Sequence, residues 1–127
     1  MIILVCGGRT FADGRRLWHV LDKIHEADPI TLMVHDCSLG ASQFAMAWAI
    51  ERNVPHTGAK YAAAWKSRMG KPAGPTRNAN MLRDHKIDLV LAYPRSDGFW
   101  GRGTRDMIKQ ATAAGIKVIK PPPQRMV

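Results

Sequence analysis

The sequence predicts a three-layer α/β domain built on a parallel sheet of about five strands, and three observations carry that expectation. Apolar stretches at 2–6, 30–35, 56–59, 88–93 and 116–119 alternate with segments of helical periodicity, as repeated strand–helix crossovers require. The stretches at 2–6 and 88–93 are nearly continuous apolar runs, the composition of strands buried on both faces. Glycine-bearing turns then lead from strands into helix starts, at Gly7-Gly8, at Gly40 and at Gly98 to Gly103.

Each element has a local reason. The first strand ends in Gly7-Gly8-Arg9, where glycines allow a tight turn and close backbone approach, and Arg9 can clamp a phosphate. Asp13 is placed to cap a helix whose apolar stripe is Leu17, Trp18, Leu21 and Ile24, and Asp28-Pro29 ends it. The second strand breaks into Asp36 to Gly40, and a helix over 41–52 turns Phe44, Ala45, Trp48 and Ala49 inward. Asn53-Val54-Pro55 leads to a weak third strand. From Tyr61 to Gly74 no period is visible, and an irregular stretch of that length in a compact domain is usually functional or mobile. Pro75 can open the next helix, with Arg77 and Asn78 in its first turn and Met81 and Leu82 on its apolar side. Pro94 stops the fourth strand. Thr104 is expected to cap the last helix (Met107, Ile108, Ala111, Ala114) or to offer its hydroxyl to an anion. Gly115 is the expected helix terminator before the final strand.

A chain of 127 residues is expected to form one domain, here 1–120, with 121–127 as an extended tail. No apolar run nears the roughly 20 residues of a membrane span, and the start lacks the basic leader of a signal peptide. The expectation is a cytoplasmic protein with Cys6 and Cys37 as free thiols. Two cysteines without a CxxC, and five scattered histidines, give no metal site, and no cofactor is expected.

The net charge of +9 predicts attraction to polyanions or phosphorylated ligands. It is uneven: Lys60, Lys66, Arg68, Lys71, Arg77 and Arg83 fall in one stretch without an acidic residue. Trp65 in that stretch offers a stacking surface. In a parallel sheet, ligands bind beyond the carboxyl ends of strands where the winding reverses, so strands one and four are expected side by side at the centre. The loops after strands one, two and four then converge. They nominate Gly7, Gly8, Arg9, Gly40, Gly101, Arg102, Gly103 and Thr104 as ligand contacts, joined by Asn78 from the helix beside them. A helix N-terminus supplies unpaired N–H groups and partial positive charge for a phosphate. The carboxylates on that edge are Asp13, Asp36, Asp97 and Asp106.

Three segments resemble a known family: Cys6-Gly7-Gly8-Arg9 with Phe11 and Asp13, Ala73-Gly74-Pro75-Thr76-Arg77-Asn78 with Met81, and Gly101-Arg102-Gly103-Thr104 with Asp106-Met107. Their order and spacing are similar to a small branch of the SLOG superfamily, which includes the "lonely guy" phosphoribohydrolases, the DNA-uptake protein DprA and nucleotide-sensing domains. The resemblance implies a Rossmann-like sheet and a site for a nucleotide or a nucleotide-derived molecule. It implies a catalytic role for Arg77, which matches the arginine of the phosphoribohydrolase RKxxM segment. The glutamate expected three residues after Gly103-Thr104 is absent, since Met107 stands there, and Asp106 is the nearest carboxylate. After strand two, Ser42 stands where relatives carry an acidic residue. The loop after strand four is longer than in relatives and carries Phe99-Trp100, suited either to stack a base or to pack a dimer interface.

The leading expectation is a nucleotide-binding protein, a homodimer or higher homo-oligomer, which either has N-glycosidase activity or only binds its ligand, with slow or absent hydrolysis of ordinary nucleoside monophosphates expected. The alternative is a nucleic-acid-binding protein using the basic 60–83 segment. A third is a subunit whose basic surface docks an acidic partner.

Overall fold

The structure is a computed structural model, and it describes residues 1–62 and 73–122. Five strands alternate with helices: β1 (Ile2–Gly7), α1 (Gly14–Ala27), β2 (Leu32–Val34), α2 (Ala41–Glu51), β3 (His56–Thr57), a 3₁₀ turn (Ala59–Tyr61), α3 (Ala73–Asp84), β4 (Leu89–Tyr93), α4 (Arg102–Ala113) and β5 (Lys117–Ile119). All pairings are parallel, in the order β3-β2-β1-β4-β5. Strands one and four are neighbours at the centre, as their apolarity predicts, and β4 is buried along its whole length.

The two faces of β1 divide the core, because alternate side chains of a strand point to opposite sides. Ile3 and Val5 pack with Leu17, Leu21 and Trp48 of α1 and α2, while Leu4 packs with Met81, Met107 and Ala111 of α3 and α4. The chain thus covers one face on its way from β1 to β3. It covers the other from α3 onward, so the winding reverses between β1 and β4.

Some boundaries differ from the sequence expectation. The second strand is three residues rather than six; ahead of it, Ile30 N–H donates to His25 Nδ1 at 2.9 Å instead of to a ladder partner. The third keeps only His56–Thr57. Asp13 does cap α1, its carboxylate accepting from Arg16 N–H at 3.2 Å. Thr104 does not cap α4: the helix starts two residues earlier, with Gly101 at the N-cap and no side-chain bond there. Likewise α3 begins at Ala73, before Pro75. Gly115 adopts φ +75, the left-handed conformation that ends a helix. Among the described residues no helix is long and apolar enough to cross a membrane. The expected tail past Pro122, and Trp65, Lys66, Arg68 and Lys71, lie outside the described residues.

Candidate functional site

A cavity of about 670 Å³ opens beyond the carboxyl ends of β1 and β4, within the usual range of about 300–1,000 Å³ for a ligand pocket. Three walls build it. The first is the exit of β1, where both glycines are demanded by chain packing. A Cβ at Gly7 would lie 2.6 Å from Ala41 Cβ, and one at Gly8 would lie 2.6 Å from Arg95 Cα. Gly8 N–H donates to Tyr93 O at 3.2 Å, so that amide is used by the protein itself. The groups left for a ligand are the N–H of Arg9 and Thr10 and the Arg9 guanidinium, which have no partner among the described residues. Gly40 does not line the cavity. Its φ of +83 and its closeness to the carbonyls of Gly8 and Arg9 make it the spacer that lets α2 start behind this turn.

The second wall is the first part of α3. Arg77 Nη1 pairs with Asp36 Oδ2 at 3.2 Å, both side chains being 16% exposed. Asp36 also accepts from Ser38 N–H at 3.0 Å and Ser38 Oγ at 2.6 Å. Burial disfavours the Asp36 anion, but the Ser38 hydrogen bonds and the Arg77 charge outweigh it and hold the carboxyl below its ordinary range. Arg77 Nε is buried without a partner among the described residues. Asn78, buried, acts as a strut: its amide donates to Gly103 O and to Asp106 Oδ2, each at 3.0 Å.

The third wall is the N-terminus of α4. Its first main-chain bond is from Arg105 N–H to Gly101 O at 2.9 Å, which leaves the N–H groups of Arg102, Gly103 and Thr104 facing outward from the helix end. Thr104 is buried in the wall, not at the cap, and its hydroxyl makes no hydrogen bond among the described residues. Gly101 would meet nothing within 4 Å if given a Cβ, and Gly103 only Arg77 Nη2 at 3.5 Å. These two glycines leave room in the cavity itself.

The cavity also takes in Cys6, Met81 and Met107. Burial, reinforced by the Asp36 charge, pushes the Cys6 thiol up to about 12, which disfavours its thiolate form. Arg95 and Gln110 are additions that the sequence reading missed. Arg95 lines the cavity and pairs with Asp97 at 2.7 Å, and its position straight after strand four was the available signal. Gln110 donates to Pro75 O at 3.0 Å and to Asp106 Oδ2 at 2.7 Å. It stands four residues after Asp106, on the same helix face. Phe99 is 71% exposed, and neither it nor Trp100 lines the cavity. Among the described residues no cluster of His, Cys, Asp or Glu is arranged to hold a metal.

The basic segment reads differently in three dimensions. Lys60 and Arg83 both pair with Asp84, at 2.8 and 3.2 Å, and Tyr61 donates its hydroxyl to the same carboxylate at 2.8 Å. With Arg77 on Asp36, every described member of that segment's basic set has an acidic partner from outside it.

A parallel sheet with its reversal beside a basic, glycine-walled cavity defines a Rossmann-like α/β protein. The chain belongs to the YspA, cpYpsA-related SLOG family (YAcAr), whose model matches residues 1–67. The β1 turn and Asp36 fall inside the matched residues, while the α3 and α4 walls lie beyond them. Among solved structures, glycinamide ribonucleotide transformylase 1 from Geobacillus kaustophilus is similar at 18% identity and a TM-score of 0.49. The alignment covers 94% of this chain and 55% of that one, so the chain spans about half of its length. No curated protein matches the chain.

Proposed function

We propose that the chain binds a nucleotide or nucleotide-derived ligand in the β1/β4 cavity. The observation that carries this is that two sets of amides without a partner among the described residues, Arg9-Thr10 on one wall and Arg102 to Thr104 on another, belong to residues lining one nucleotide-sized space. Two such sets with the Arg9 and Arg102 side chains suit a phosphate, which accepts charge-assisted hydrogen bonds. The Rossmann-like sheet and membership of a SLOG family support the reading. Arg77 belongs to it as an oriented wall residue whose charge Asp36 already offsets, and less as a free clamp.

Binding comes first in this proposal, and N-glycosidic cleavage is slow or absent. Cleavage needs a positioned carboxylate to handle water and stabilisation of an oxocarbenium-like centre. Asp106 is positioned, but one of its oxygens is already committed to two protein amides. Native mass spectrometry of the purified protein should show a co-purified nucleotide. Titration calorimetry with nucleoside 5′-monophosphates should show Arg9→Ala and Arg102→Ala each weakening binding by about 1.5 kcal/mol. Chromatography of the same mixtures after long incubation should show no released base. Base release by the wild type that Asp106→Asn abolishes would establish a hydrolase instead.

A further inference from the structure

The loop joining β4 to α4 holds a large apolar side chain in water. Phe99 is 71% exposed and belongs to neither face of the core. The backbone beneath it is closed on itself. Arg95 N–H donates to Phe99 O at 2.9 Å, Gly98 N–H to Arg95 O at 3.0 Å, and Phe99 N–H to Asp97 Oδ1 at 3.0 Å. The Arg95 guanidinium pairs with the same aspartate at 2.7 Å. Ser96 N–H donates to Thr10 Oγ1 at 3.0 Å, which ties the loop to the β1 turn. Thr10, Arg95 and Gly101 all line the cavity, and a Cβ at Gly101 would meet nothing within 4 Å. From Gly101 back to Phe99, two residues span at most about 7 Å. The ring therefore stands outside the cavity but beside its α4 wall, within reach of a group that projects from it.

A single exposed aromatic side chain is ordinary on a protein surface. Phe99 is set apart by its neighbours, since Arg9, Arg95 and Arg102 share the cavity edge beside it. An apolar protein segment seated on the ring would take those charges out of water, at a cost. A nucleobase would not: it offers a flat π face to the ring and keeps its polar edge in solvent. With the phosphate held at the start of α4, the base is the end of a nucleotide free to reach Phe99. We infer that Phe99 is the stacking platform for the base of the bound nucleotide, and that the site favours purine over pyrimidine nucleotides, whose smaller ring covers less of the platform. The inference rests on the nucleotide reading above and assigns the part of the ligand that the cavity walls do not hold.

The experiment is titration calorimetry on the purified chain with AMP, GMP, CMP, UMP and ribose 5-phosphate, the last carrying phosphate and sugar without a base. The wild type should bind the purine nucleotides severalfold more tightly than the pyrimidine ones. Phe99→Ala should weaken AMP and GMP by about tenfold, the loss of one base–aromatic stack. It should also close the purine–pyrimidine gap and leave ribose 5-phosphate unchanged, while Phe99→Trp should keep both the affinity and the gap. Equal weakening of AMP and ribose 5-phosphate in Phe99→Ala would mean that the ring only shapes the loop, and overturns the inference. So does AMP binding unchanged in that variant, or a wild type that binds purines and pyrimidines alike. If Phe99→Ala keeps its AMP affinity but halves the mass seen by native mass spectrometry, the ring belongs to a contact between two copies instead. Each of these results leaves the nucleotide reading standing, whereas no binding of any nucleotide removes that reading and the inference with it.

Discussion

A Cβ added at Gly103 would stand 3.5 Å from Arg77 Nη2, an ordinary contact, while one at Gly8 would stand 2.6 Å from Arg95 Cα. Gly103 also lies in the first turn of α4, where a helical backbone accepts alanine at least as readily as glycine. Gly103→Ala is therefore expected to keep or raise the melting temperature and still weaken nucleotide binding, because the new methyl occupies ligand space. Gly8→Ala should lower the melting temperature outright. Thermal unfolding and titration calorimetry on the two variants separate these effects, and a Gly103→Ala protein that binds like the wild type would remove the α4 start from the site. The sequence marked both glycines as ligand contacts and could not distinguish them. What a glycine makes room for depends on the chain that crosses in front of it, here Arg95, which no local pattern around Gly8 reveals.

Among the elements, the edge pair β2 and β3 carries a buried titratable group. His35 is fully buried, and its Nδ1 accepts from Cys37 N–H at 3.1 Å. The ring proton therefore sits on Nε2, which donates to His56 Nδ1 at 3.0 Å. Burial, then the neighbouring His56, lowers His35 from 6.5 to about 4. The unfolded chain binds a proton near pH 6.5 while the folded chain does not until about pH 4, so stability is present above that window and falls as pH drops through it. At pH 5 the loss from this residue is about 2 kcal/mol. Urea unfolding at pH 7 and pH 5 should show it, and His35→Gln should show a smaller difference between the two pH values. Equal differences in both proteins would place the titration elsewhere. The order of elements was legible from alternation and apolarity, but their ends were less so. Pro75 and Thr104 looked like helix starts, yet both helices begin two residues earlier, since a cap preference of about 1 kcal/mol yields to the packing that pulls Asn78 onto Gly103 and Asp106.

For the whole molecule, the adjacency of β1 and β4 follows from the two most apolar strands taking the most buried places in the sheet, so the location of the cavity was legible before its chemistry. The charge was less legible. A count along the chain isolates Lys60 to Arg83 as uncompensated, but folding brings Asp84 and Asp36 onto three of its members. The Lys60 and Tyr61 hydrogen bonds, with burial acting against them, hold the Asp84 carboxyl far below its ordinary range, in keeping with its ion pairs to Lys60 and Arg83. A lysine that neutralises a phosphate of single-stranded DNA contributes about 0.7 to the slope of log affinity against log salt. Lys60 and Arg83 must each leave Asp84 to do so. Lys60→Ala and Arg83→Ala are therefore expected to change that slope by less than roughly 0.3 each in a titration of single-stranded DNA across a salt series. A change near the full value for either residue would mean that nucleic acid outcompetes Asp84, and would restore the 60–83 segment as a polyanion-binding face of a chain with net charge +9.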